Sequence, residues 1–381
     1  MLTLCTWLTA ACSAGSTPSS AGDAGQVASS AGRGGGGSAT GGRAGTSSAR
    51  GGAGSAGSPI SAGGRGGNAG GAGRGGQAAG GGGGASASPR EAKLGACPAF
   101  PADDVWNRNV ESAAVSAEWT AHVQALVGSK RIHPDYGNSG AEHYGIPINV
   151  VPQTQPKLPI TFDDYADESD PGPYPFPGPD KVRVEGGNAS ACDGDCHVLV
   201  VQEGTCQLYE GYACRYASDG WHCSNGAIWD LTRRSEGQRP SGYTSADAAG
   251  LAIAPGLVRY AEAQSGEIKH AIRFTLRCTR ANYVAPATHH AVPGGCQGNA
   301  DAPPMGLRVR LKASYDLSSF SGAALAVARA MQRYGMILAD NGSDFYFQGE
   351  QDERFSEADV EPLKAIPASA FEALEPGPLL P

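Results

Sequence analysis

Residues 226–276 crowd carboxylates, an imidazole and aromatic rings into one stretch. Asp230 closes a strand-like run, Asp247 sits in a polar loop with Tyr243 and Ser245, and His270 lies in an alternating segment. Two carboxyl groups facing each other, one protonated and one ionised, are the equipment of glycoside hydrolysis. Asp230 and Asp247 are the expected acid/base or nucleophile pair, with His270 tuning or relaying a proton. Trp229 and Tyr243 offer flat apolar faces on which sugar rings stack. Glu185, Glu210, Asp340 and Asp344 are further acids that could form a converging pair.

Each of these residues also has a plainer reading. An acid near a turn is usually a surface group, and His270 shares its strand face with Ile268, Ile272, Phe274 and Leu276, as a core histidine would. In Gly306–Ala313, Leu307, Val309 and Leu311 alternate with Arg308, Arg310 and Lys312. A solvated sheet face explains that basic row. A second use is to hold carboxylated sugars, because a guanidinium grips a carboxylate through two bonds. On that reading the chemistry is elimination beside a uronate, with His270 or a Tyr as base. A third possibility is a carbohydrate-binding or adhesion protein without turnover.

Several chemistries lose ground by absence. The sequence contains no H-E-x-x-H, no G-x-S-x-G and no phosphate-binding loop ending in Gly-Lys-Ser/Thr. Cys192-Asp-Gly-Asp-Cys196-His197 has thiols and an imidazole close together, but C-x3-C without a second pair is a weak zinc signal. Neither a metal nor another cofactor is expected. The chain carries 29 basic and 37 acidic residues, net −8. Residues 1–90 hold six Arg and one Asp, which leaves −13 for the remainder. So acidic a body argues against nucleic acid as the main partner. The expected partner is a polysaccharide or oligosaccharide, and the expected state a monomer.

The elements that must position these residues follow from pattern. Residues 1–12 resemble a lipoprotein-type signal, in which Cys12 would be lipidated and would provide the sole attachment to a membrane. Residues 13–90 are almost wholly Gly, Ala and Ser, and such a linker has nothing to bury against its ordering entropy. Residues 91–381 then form one globular β-rich domain. Its eight cysteines, Cys97 to Cys296, read as disulfides of an exported protein; Cys214 with Cys223 and Cys278 with Cys296 are the short-loop pairings.

Within that domain SAEWTAHVQALVGS and SFSGAALAVARAMQRYG have helical periodicity. HVLVVQ, CQLYEGY, GAIWDL, IKHAIRFTL, NYVAPA and GLRVRLKA read as strands, and MILADNGSDFYFQG as a hairpin turning at Asp340-Asn341-Gly342. Strands recurring without alternating helices point to a mainly β fold, an antiparallel, jelly-roll-like β-sandwich with a few peripheral helices.

Four strings, Tyr165-Ala-Asp-Glu-Ser-Asp-Pro-Gly-Pro-Tyr174, Thr244-Ser-Ala-Asp-Ala-Ala-Gly-Leu251, Pro255-Gly-Leu-Val-Arg-Tyr260 and Ala339-Asp-Asn-Gly-Ser343, are specific in combination. Together they resemble a group of secreted proteins of soil bacteria over most of residues 97–355. The lipoprotein start and Gly/Ser stalk are similar to surface proteins of myxobacteria. No activity carries over from that resemblance. The residues themselves point to a secreted or surface-anchored enzyme acting on polysaccharide, a glycoside hydrolase first and a lyase second.

Overall fold

The computed structural model describes residues 92–137, 144–192, 194–292 and 296–381. The signal segment with Cys12 and the linker to residue 90 lie outside the described residues. In chain order the strands are β1 (Lys93–Leu94), β2 (Cys97–Pro98), β3 (His133–Asp135), β4 (Ile148–Val151), β5 (Ile160–Phe162), β6 (Val198–Gln202), β7 (Gln207–Tyr212) and β8 (Arg215–Ala217). They continue with β9 (Gly220–Cys223), β10 (Asn225–Asp230), β11 (Ile272–Leu276), β12 (Arg308–Leu311), β13 (Met336–Asn341), β14 (Tyr346–Gln348) and β15 (Phe371–Ala373). The helices are α1 (Ala117–Val127), α2 (Tyr260–Ser265), α3 (Gly322–Arg333) and α4 (Glu357–Val360).

The fold is mainly β with few helices, but its sheets are mixed rather than antiparallel throughout. The order β10-β7-β6-β4 makes one sheet, β15-β12-β13-β11-β14-β3 a second, and β5-β9-β8 a third. The pairs β4/β6, β5/β9, β11/β13 and β3/β14 are parallel. Parallel neighbours need long crossovers, and this chain supplies them as the long connection between β4 and β6 and as the segment between β11 and β13 that holds β12 and α3. Residue periodicity marks a strand but says nothing of its partner's direction, and so the antiparallel expectation does not hold.

The expected hairpin at Asp340-Asn341-Gly342 is also absent. β13 and β14 do not pair; β11 lies between them, parallel to β13 and antiparallel to β14. NYVAPA forms no strand, although Tyr283 makes isolated bridges to Met305 and Leu380. β11 begins at Ile272 rather than Ile268, and all five of its residues are buried. The two helices expected from periodicity are present. Ser116 caps α1 through its hydroxyl, and Ala324, Val327 and Met331 bury the inner face of α3. Gly335 follows α3 at φ +71, where an added Cβ would lie 2.4 Å from the Val309 carbonyl oxygen.

The four-stranded sheet is apolar on both sides. Val198 and Val200 of β6 join the cluster that holds Tyr174, Phe176 and Trp221, while Leu199 and Val201 join the larger core with β11, β13 and α3. Alternation along one strand therefore serves two cores.

Four disulfides staple this body: Cys97–Cys206, Cys192–Cys196, Cys214–Cys223 and Cys278–Cys296. Both short-loop pairings anticipated from the sequence occur. The sulfurs of Cys192 and Cys196 bond each other instead of forming a thiolate metal site. Four such bonds fit an oxidising compartment. Among the described residues no helix is long and apolar enough to cross a membrane.

Loop length sets what each bridge should contribute through the unfolded chain. Replacing Cys97 and Cys206 by Ser opens a separation of 109 residues and should cost about 5 kcal/mol, against about 2 kcal/mol for the four-residue separation of Cys192 and Cys196. Urea unfolding of the two double variants checks that order; equal losses would refute it.

Candidate functional site

The site is built on Arg273, the second residue of β11 and fully buried. A guanidinium cannot be left unpaired in such a place. Its Nη2 donates to Asp247 Oδ2 at 2.9 Å and lies 3.6 Å from Asp340 Oδ2, while its Nη1 donates to Gln348 Oε1 on β14. Asp340 reaches this face through an irregularity. The β11/β13 register runs Phe274 with Leu338 and then Thr275 with Asp340, leaving Ala339 bulged. A one-residue slip turns the following side chain to the opposite face. The bulge therefore places Asp340 on the side where Arg273 waits.

Asp247 arrives from a loop ordered by its own small polar groups. Its Oδ1 accepts from the Ala249 amide at 2.9 Å, and its own amide donates to Ser245 Oγ at 3.1 Å. The loop is sewn to β13 by the Ala249 amide on the Ala339 carbonyl, 3.0 Å, and to the 165–174 segment by the Thr244 amide on Glu168 Oε2, 2.7 Å. These are the Asx- and Ser-type turn contacts that polar loop residues favour.

A cleft of about 260 Å³ opens over this pair, lined by Tyr165, Asp195, Tyr212, Asn225, residues 244–248, His289, Ala291, Asp340 and Asn341. Burial, reinforced by the charge of Asp247 and opposed by Arg273, pushes the Asp340 carboxyl up to about 7. Its side chain is still 27% exposed, whereas that of Asp247 is sealed. Burial also raises Asp247, with Arg273 working against it. One cation thus faces two carboxyls, both pushed upward by burial, and Asp340 is the one exposed to the cleft.

Behind this wall His197 bonds Glu185 through Nδ1 and the Ala246 carbonyl through Nε2, 2.9 Å. Burial alone would lower this imidazole, but the Glu185 carboxylate prevails and lifts it to about 9. It is therefore a second buried cation, already paired. His289 holds the Ala248 carbonyl through Nδ1 at 2.8 Å, which leaves Nε2 as the nitrogen with a free lone pair in the neutral ring. Tyr165 is exposed and Tyr212 half-buried, so both rings can meet a ligand. Asn225 is buried, and among the described residues neither its amide nitrogen nor its oxygen has a hydrogen-bond partner.

Of the residues expected from the sequence, Asp247 and the further acid Asp340 line this cleft. Asp230 caps the turn after β10, its Oδ1 accepting from the Thr232 amide at 3.0 Å and hydroxyl at 2.6 Å. Trp229 is a core residue whose Nε1 donates to the buried Glu210 at 3.1 Å. Tyr243 is partly exposed and lies outside the lining. His270 is buried between the Ala271 carbonyl, 2.8 Å, and Glu262 Oε1, 2.7 Å, where it fastens α2 to the body. Arg308 binds the carbonyls of Tyr334 at 2.8 Å and Val105 at 3.0 Å, and Arg310 binds Glu372 and the Glu111 carbonyl, both at 2.8 Å. These two guanidiniums tie chain segments together, because the outer face of β12 is covered by residues 105–111 instead of solvent.

Sequence reasoning missed Arg273, Asn225, Asp195, Tyr165 and Tyr212 as site residues. One signal was available. Three of the four distinctive strings, around Tyr165, Asp247 and Asp340, meet at the cleft. A larger cavity of about 860 Å³ borders α2, where Arg259 is paired with Glu262 and Arg354 with Asp352. No family model matches the chain, and no curated protein or solved structure is significantly similar to it.

The buried ion pair gives a direct test. Arg273→Met should destabilise the fold by roughly 3–5 kcal/mol, because Asp247 is left as an uncompensated buried charge. Adding Asp247→Leu should recover a large part of that loss. Urea midpoints of the single and double variants measure both; a single variant as stable as wild type would sink the assignment.

Proposed function

We propose that this protein is a glycoside hydrolase acting on an extracellular polysaccharide, with Asp340 as general acid. The observation that carries the reading is the Asp340 carboxyl: it opens into the cleft and is held protonated to about 7 by burial and by the neighbouring Asp247. Protonating a departing glycosidic oxygen requires such an acid. Asp195, exposed on the same cleft, is the partner that would activate water or attack the sugar carbon. Asp247 acts as a positioning residue; pinned by Arg273, it keeps the proton on Asp340. Tyr165 and Tyr212 supply the stacking faces.

Export supports this reading. The oxidised cysteines suit the cell exterior, and lipid attachment at Cys12 with residues 13–90 as spacer would hold the domain off a membrane. The acidic lining favours hydrolysis over elimination beside a uronate, since a lyase must neutralise the uronate carboxylate and the nearest guanidinium, Arg273, is already engaged.

The test is a panel of neutral and acidic polysaccharides, read for new reducing ends and for unsaturated-uronate absorbance. Reducing ends alone are expected, with Asp340→Asn lowering kcat by roughly 10²–10⁴-fold. Activity should fall as pH rises through about 7, where Asp340 loses its proton. Stability has the same sign. The folded state keeps a proton that the unfolded chain gives up above the ordinary value of 3.8, so this group's contribution declines from there to about 7. In Asp340→Asn that decline should be missing. Unsaturated product or silence on every glycan would refute the hydrolase.

A further inference from the structure

We infer that the ligand of the cleft is an uncharged sugar unit and that Asn225 reads one of its hydroxyl groups. This rests on the saccharide reading above but not on hydrolysis. Asn225 begins β10 and stands opposite Tyr212 of β7, on the row that continues inward through Ala227 and Trp229. The last two enter the main core, and Asn225 is where the same row meets the cleft. Asn225 is 1% exposed, with its amide donor and acceptor both unpartnered among the described residues. Buried polar groups are nearly always paired, and an unpaired amide in the wall of a cleft is a place for a ligand. A hydroxyl both donates and accepts, and so it can satisfy either side of the amide.

The charges around Asn225 set the class of ligand. Three of the lining side chains are carboxyls, Asp195, Asp247 and Asp340, and the lining includes neither Lys nor Arg. The two buried cations behind it are engaged, Arg273 by Asp247 and Gln348, and His197 by Glu185 and the Ala246 carbonyl. His289 uses Nδ1 on the Ala248 carbonyl. A uronate carboxylate would enter a cleft lined by carboxyl groups, with no free guanidinium to receive it. The Asn225 oxygen adds an acceptor and its nitrogen a donor, a neutral match that an ammonium group would use only in part. A volume of about 260 Å³ limits the occupant to about one sugar ring at this point.

The experiment uses the full chain made in an oxidising host and calorimetric titration with hexasaccharides. Cellohexaose, xylohexaose and maltohexaose are the uncharged set, a galacturonate hexamer the acidic arm and a chitosan hexamer the cationic arm. Asp340→Asn protein replaces wild type wherever a sugar is turned over. At least one uncharged hexamer should bind, with the galacturonate at least tenfold weaker. Asn225→Leu and Asn225→Ala should each weaken that binding at least tenfold. The Leu variant should also have a Tm equal to or above wild type, because it removes two unpaired polar atoms.

Equal or tighter binding of the galacturonate or chitosan hexamer overturns the inference, as does failure of every uncharged hexamer to bind. Undiminished binding by both variants would mean that the amide holds only water. A lower Tm in both would assign Asn225 a structural role and overturn it too. If Asn225-dependent binding is found but Asp340→Asn leaves turnover unchanged, or no turnover exists, the hydrolase reading fails while this inference stands.

Discussion

The structure depends on one buried charge. Arg273 sits inside the six-stranded sheet with no exposed surface, and the two strands flanking β11 and the 241–251 loop each bring a group to it: Gln348 from β14, Asp340 from β13 and Asp247 from the loop. Replacing such a charge by an apolar side chain commonly costs little when its partners are replaced with it, so stability alone does not account for its presence. Its field explains more. It lowers Asp135, Glu185, Asp247 and Asp340 against the burial that raises them. A cluster of acids can then be placed in the interior without all of them being neutral.

That arrangement leaves an imbalance at the surface of the cluster. Asp247 has the shorter contact with Arg273 and a backbone donor as well, while Asp340 has the longer contact and faces outward. The two carboxyls therefore differ in environment although they share a guanidinium, which is how environment separates acid from base in a pair of chemically identical groups. The β-bulge at Ala339 is the backbone feature behind this difference, since without it Asp340 would face away.

Rigidity around the cleft comes from bonds that do no chemistry. Glu210 gathers the Ile253 and Ala254 amides and the Trp229 indole, and it fixes the chain that leads from the site loop into β11. Arg308 and Arg310 fasten residues 105–111 over β12, and His270 with Glu262 holds α2. The Asn225 amide, unpartnered at both its nitrogen and its oxygen, lies where the core row of β10 reaches the cleft.

The sequence by itself determined what local pattern can encode. Helices α1 and α3, strands β6, β7, β10 and β12, the two short-loop disulfides and the weight of β structure are all visible in periodicity, caps and cysteine spacing. It also marked three strings that meet at the cleft, and Asp247 among their residues. Strand direction, the insertion of β11 between β13 and β14, and the pairing of Cys97 with Cys206 depend on contacts between distant segments, which no local period records. The same holds for the chemistry. Asp230 and Asp247 look alike in the sequence, but one caps a turn and the other neutralises a buried arginine. Arg273 occupies a position that alternation assigns to a solvent face, and only the packing of a second layer over that face turns it into the centre of the site. Burial and proximity set the charge state of a carboxyl, and both are properties of the folded chain.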